Sequence, residues 1–195
     1  MNSWTQLADS KIPNSSGNLQ LWQRGEEFAI RIDGVRGDLM NSRMHGSEDA
    51  LAELACKRLN KLEGARVLVG GLGMGFTLAA ALAVLLPTAK LTVAELIAGV
   101  VDWNWGPLGA CAGYPLKDPR SNIHIGDVAE LLQQATLYDA ILLDVDNGPE
   151  AMTHADNEWL YSAAGLRALI KSLRPQGIAA IWSASQNPDF RNPEP

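Results

Sequence analysis

Gly71, Gly73 and Gly75 stand two apart at the point where one apolar run, residues 66–69, gives way to another that reads as a helix. Glycine adopts positive φ without strain and leaves no Cβ in the path of an approaching group. The helix that follows offers free backbone N–H groups, so a strand, glycine turn and helix in succession make a place for a ligand. The spacing is GxGxG. The dinucleotide fingerprint GxGxxG would need glycine where Phe76 stands, which speaks against a nicotinamide or flavin dinucleotide. Twenty residues beyond Gly75 the next apolar run ends in Glu95, where a carboxylate can accept from both hydroxyls of a ribose. A third run, NIHIGD, closes on Asp127, which can accept from the amino group of an adenine or, in a purely structural role, cap the helix that follows. Three strand ends thus point to one nucleoside.

To bring these residues together the chain must alternate strands and helices. Apolar runs at 66–69, 91–95, 122–125, 138–144 and 177–182 are separated by helical segments near 74–86, 96–103, 127–134 and 158–173. That alternation predicts an α/β fold, a doubly wound, mainly parallel Rossmann-like sheet with helices on both faces and its crevice beyond the carboxyl ends of the strands. Ahead of it, Ser47, Glu48 and Asp49 open a helix whose expected apolar face runs through Leu51, Leu54, Ala55, Leu59 and Leu62. Residues 18–46 hold three short, partly alternating stretches (18–23, 27–33 and 35–40) divided by Arg24-Gly25 and Asp33-Gly34, the signature of a small antiparallel β-unit. The resulting division is a flexible polar arm at 1–17, the β-unit at 18–46, a nucleoside-binding domain at 47–183 and a polar tail at 184–195.

Composition narrows the partners. The chain has 195 residues, 47% hydrophobic and 19% charged, with 16 Lys plus Arg against 22 Asp plus Glu, for a net charge of −6. No basic cluster tracks a phosphate backbone, so nucleic acid is not expected. No apolar run is long enough to cross a bilayer and the first residues lack a signal-peptide core, which predicts a cytoplasmic protein without a membrane partner. Cys56 and Cys111 have neither CxxC nor framework spacing and read as packed thiols. His154, with Glu150, Asp156 and Glu158 nearby, lacks ligand spacing, and no metal is expected.

The segments VLVGGLGMG, VAELIAGVVDWN, NIHIGDVAELL and YDAILLDVDNGPE together resemble the class I S-adenosylmethionine-dependent methyltransferase fold, and within it the spermidine synthase family, over about residues 51–183. The resemblance implies that Gly71, Gly73 and Gly75 line a sulfonium nucleoside, that Glu95 holds its ribose and Asp127 faces its adenine. It also implies that Asp144 is the catalytic carboxylate, which binds and helps deprotonate an acceptor amine, and that Asp146 and Asn147 bind the acceptor. The donor substrate would be decarboxylated S-adenosylmethionine or S-adenosylmethionine itself. The acceptor would be a small-molecule amine, a polyamine if the transferred group is aminopropyl.

Three departures qualify the pattern. Met74 stands where the family has an Asp that grips the donor's ammonium. The loop reads DVDNGPE, so the second acid is either Asp146, out of register, or Asn147, in register and uncharged. About a dozen residues follow the fifth strand, where this fold usually adds an antiparallel pair; a homodimer across that edge or the tail lying along it would cover the gap. These departures keep two alternatives open: an S-adenosylmethionine-dependent small-molecule methyltransferase and a non-catalytic nucleoside-binding homologue. Trp103 and Trp105 are expected to pack in the core or at a helix end, His124 to be a packed histidine, and Glu48 to serve as a helix N-terminal charge beside His45. The loop with His154 would gate the acceptor.

Overall fold

A computed structural model of the chain describes residues 3–13, 15–145 and 159–182. It contains two sheets. The first is antiparallel, with strands β1 (Thr5–Lys11), β2 (Asn18–Arg24), β3 (Glu27–Ile32) and β4 (Met40–Asn41) in sequence order. The second is wholly parallel and consists of β5 (Arg66–Gly70), β6 (Lys90–Glu95), β7 (Ser121–Ile125), β8 (Tyr138–Leu143) and β9 (Leu173–Ile181), in the spatial order β7-β6-β5-β8-β9. The helices are α1 (Gly46–Cys56), α2 (Phe76–Val84), α3 (Ala98–Trp105), α4 (Val128–Leu132) and α5 (Ala163–Lys171).

The central strands are buried on both faces, and alternate residues supply two separate cores. Val67 and Val69 of β5, with Ala140 and Leu142 of β8, pack with residues of α1, α2 and α3 and with the inner face of the small sheet, Leu19, Leu21 and Ile30. Leu68, Ile141 and Leu143 point the other way, against Val128, Leu131 and Leu132 of α4 and its margins and Leu169 of α5. Period-two alternation between two apolar layers is why these strands read as unbroken apolar runs. The expected doubly wound parallel sheet and N-terminal antiparallel unit are both present.

Four expectations change in detail. Residues 5–11, read as part of an arm, form β1, paired along its length with β2. Its side chains are mostly exposed, so the strand rests on its backbone ladder and leaves no apolar alternation to read. Trp4 beside it is covered by the guanidinium groups of Arg24 and Arg31, 4.6 and 4.7 Å from its ring centre. The stretch 35–40 is a turn region in which only Met40 and Asn41 reach the sheet, after Gly34 and Gly37 at φ 74° and 99°. α1 buries Ala52, Ala55 and Cys56, while Leu54 is 75% exposed and Leu62, beyond the helix, is 40% exposed. The fifth strand begins at Leu173 rather than 177. Among the described residues no helix is long and apolar enough to cross a membrane.

Candidate functional site

The parallel ladder sets the strand ends side by side. Gly71 N–H donates to the Ala94 carbonyl at 2.8 Å, Asp144 N–H to the Gly70 carbonyl at 2.8 Å, and Gly126 N–H to the Glu95 carbonyl at 2.9 Å. These bonds bring the glycine turn, Glu95, Asp127 and Asp144 to one cleft of 420 Å³, roofed by Ile12, Leu39, Met40 and Met44 from the small sheet and its margins. Asp38, Glu48, Glu95, Asp127 and Asp144 are the charged groups on its described wall, and no Lys, Arg or His is among the described lining residues. Asp38 is held by Arg31 at 2.7 Å.

The glycines turn out to answer first to the chain itself. Gly71, Gly73 and Gly75 all have positive φ (91°, 51° and 86°). A Cβ on Gly71 would be driven into the Asp144 carbonyl oxygen. One on Gly73 would meet the Met40 sulfur at 3.1 Å, and one on Gly75 would meet Asn104 Oδ1 and Pro115 at 3.0 Å. What approaches the turn is therefore its own fold on two sides, and only Gly71 and Gly73 also line the cleft. Gly71→Ala is expected to lower stability by about 3 kcal/mol or more, because backbone must move, whereas Gly64→Ala, at φ 65° with open space around it, costs about 1 kcal/mol of backbone strain. Urea midpoints of the two variants check the contrast.

Glu95 ends β6 with its side chain 8% exposed. Its carboxylate accepts from Leu72 N–H through Oε2 and from Ile97 N–H through Oε1, both at 2.9 Å, pinning the glycine turn to the start of α3. Burial pushes the carboxyl above its ordinary range, against the opposing pull of the Ile97, Leu72, Gly73 and Leu96 N–H groups. The carboxylate also lines the cleft, where its oxygens can accept from a ligand hydroxyl. Asp127 is the N-cap of α4, accepting from Ala129 N–H at 2.8 Å through Oδ1. The structural role weighed for it is real, and the residue also lines the cleft.

Asp144 follows β8 directly and lines the cleft, with Thr77 Oγ1 donating to its Oδ2 at 2.5 Å. Met74 is 3% exposed and belongs to the core as well as to the cleft wall. Glu48 lies in the first turn of α1 and also lines the cleft, its carboxylate accepting from Ser47 Oγ at 2.6 Å. His45 is the N-cap residue of α1, contacts Asp49 at 2.7 Å and stacks on Phe76 at 4.2 Å. Trp103 is buried in the core and Trp105 is half exposed; neither lines the cleft. His124 is not fully packed: its Nε2 lies 3.2 Å from Glu130 Oε2 at the partly exposed edge strand β7. Asp146 and Asn147, and the loop with His154, lie outside the described residues.

Sequence reading missed Asn104. Only 1% exposed, it donates from Nδ2 to the carbonyls of Gly73 at 2.8 Å and Val100 at 2.9 Å, and its Oδ1 has no hydrogen-bond partner among the described residues. That oxygen faces the missing Cβ of Gly75, a position suited to a weak Cα–H···O contact. Nothing in DWNW singles it out, since its partner lies 31 residues away. Cys56 is free and buried, its thiol pushed up to about 12 by burial, and Cys111 is raised in the same way, so neither has the thiolate character of a nucleophile. Among the described residues no three His, Cys, Asp or Glu side chains gather as a metal site.

With a glycine turn after β5 and an acid at the end of β6, the chain has the class I S-adenosylmethionine-dependent methyltransferase fold, and with its small N-terminal sheet it is spermidine synthase-like in architecture. It is similar to the spermidine synthase from Thermotoga maritima, at 18% identity and a TM-score of 0.69, covering 90% of this chain and 56% of that one. A spermidine synthase in complex with the transition-state analogue AdoDATO matches at 17% identity and a TM-score of 0.65, covering 87% and 53%. A probable spermidine synthase from Corynebacterium glutamicum ATCC 13032 matches at 16% and 0.59, covering 91% and 62%. The chain thus spans little more than half the length of these structures, and at such identities the likeness is one of fold. No protein-family model and no curated protein sequence matches it.

Proposed function

We propose that the chain is a transferase that binds an S-adenosylmethionine-type sulfonium nucleoside and alkylates an amine, with aminopropyl transfer to a polyamine, as in a spermidine synthase, as the specific reaction. The observation that carries this reading is the sign of the cleft: five carboxylates and no cationic side chain among the described lining residues. A dinucleotide would bring its diphosphate into that field, whereas a sulfonium and an amine bring positive charge, which the field favours.

Bound along the turn, the nucleoside would place its ribose hydroxyls at Glu95 and its adenine near Asp127. The acceptor amine, neutral at nitrogen, attacks the carbon attached to sulfur. The nitrogen lone pair forms the new N–C bond, the C–S bond breaks with its electron pair returning to sulfur as a thioether, and the ammonium so formed gives a proton to Asp144. Because the sulfonium is already an activated leaving group, the protein's part is alignment and proton removal.

Met74 favours a second reading. A buried thioether at the turn offers no charge to an aminopropyl ammonium, which suits a methyltransferase that uses S-adenosylmethionine itself. Calorimetric titration with S-adenosylmethionine, its decarboxylated form and methylthioadenosine separates the cases. Tighter binding of the decarboxylated donor supports aminopropyl transfer, and tighter binding of S-adenosylmethionine moves the protein to methyl transfer. Donor binding with no transfer to any amine would leave a non-catalytic homologue, and binding of none of the three overturns the reading. A homodimer and a cytoplasmic location remain part of the proposal, checked by sedimentation and by fractionation.

A further inference from the structure

Thr77 is the only polar residue of α2, FTLAAALAV, and it is 2% exposed. A buried hydroxyl in an apolar helix is costly unless it is paired, and in a helix its usual partner is a carbonyl of the preceding turn. Here it crosses instead to another element: Oγ1 donates to Asp144 Oδ2 at 2.5 Å, 67 positions away. Valine would fill the same volume, so packing alone does not require the hydroxyl. Asp144 lines the cleft and Thr77 does not, which means that Thr77 reaches the reaction only through the carboxylate. The helix also begins at Gly75, which provides no side-chain cap, and the Thr77 side chain is a polar link between the first turn of α2 and the end of β8.

We infer that Thr77 is a positioning residue for the transfer, holding the Asp144 carboxylate in one rotamer at the cleft wall and favouring its ionised form while the acceptor binds. The inference rests on the reading of Asp144 as the group that takes the amine proton. A donor hydrogen bond to the charged form stabilises it, and a carboxylate anchored at one oxygen loses less freedom when it meets the acceptor.

The test compares Thr77→Val, which keeps the shape, with Thr77→Ser, which keeps the hydroxyl. The protein is labelled with 13C at aspartate carboxyl carbons, and the Asp144 signal is assigned by its loss in Asp144→Asn. In Thr77→Val the Asp144 titration is expected to move to higher pH by about one unit, as loss of a hydrogen bond to a charged group implies. Turnover is expected to fall about tenfold with the donor KM unchanged. Thr77→Ser restores both. A folded Thr77→Val that titrates and turns over like the parent overturns the inference, and so does one whose titration moves without any loss of turnover. Thr77→Ala, read in the same two ways, serves if valine does not pack. The titration needs no substrate: if Asp144→Asn leaves turnover unchanged, it is the role of Asp144 that fails, whatever Thr77 does to the titration.

Discussion

Asp144→Asn is expected to lower amine-dependent release of the thioether product by about a hundredfold or more while leaving donor affinity within about twofold. The substitution preserves shape. The amide oxygen still accepts from Thr77 Oγ1, and the backbone bond from Asp144 N–H to the Gly70 carbonyl is untouched, so the end of β8 stays beside the glycine turn. What disappears is the negative charge facing a cationic acceptor and the site for its proton. General-base contributions of about 10²–10⁴ set the scale. The measurement is chromatography of methylthioadenosine formed from the decarboxylated donor, or of S-adenosylhomocysteine formed from S-adenosylmethionine, with circular dichroism to show that the fold is intact. Parent-like turnover would remove Asp144 from the chemistry and leave it as a strand-end carboxylate held by Thr77.

The backbone architecture was legible because its signals are local. Five apolar runs broken by glycines and helical segments are enough to imply a parallel sheet, and Glu95 stands out in the sequence by its place, the acid that ends the next apolar run twenty residues after Gly75. The roles that escaped depend on distance in the chain. Gly71 looks like a ligand-facing glycine until Asp144, 73 positions on, is seen packed against its α-carbon. Asn104 and Thr77 are ordinary helix residues in sequence and acquire meaning only through Gly73 and Asp144. β1 escaped for another reason: an edge strand stabilised by backbone bonds and by guanidinium groups over Trp4 carries no hydrophobic period. The same logic explains Leu54, where periodicity placed on the core side a leucine that is three-quarters exposed, while small Ala52, Ala55 and Cys56 let α1 lie close to its neighbours.

Glu95 both pins the glycine turn to the start of α3 and lines the cleft, and its variants should show both. Glu95→Ala removes the acceptor for Leu72 and Ile97 N–H and the group proposed for the ribose, so donor affinity is expected to fall about a hundredfold and stability by about 2 kcal/mol. The dependence on pH is the sharper prediction. Burial raises the carboxyl from its ordinary value of 4.5, so the folded state holds its proton where the unfolded chain has lost it. Stability contributed by the group is therefore complete below 4.5 and is lost as pH rises through the folded-state value. Ribose hydroxyls donate to the ionised form, so donor affinity should rise across that same window. Urea titrations of the ligand-free protein and calorimetry with donor, run side by side from acid to neutral pH, should give slopes of opposite sign, and Glu95→Gln, which cannot ionise, should flatten both. Parallel slopes in the parent, or slopes that persist in Glu95→Gln, would detach Glu95 from the ribose and leave it as the staple between the glycine turn and α3.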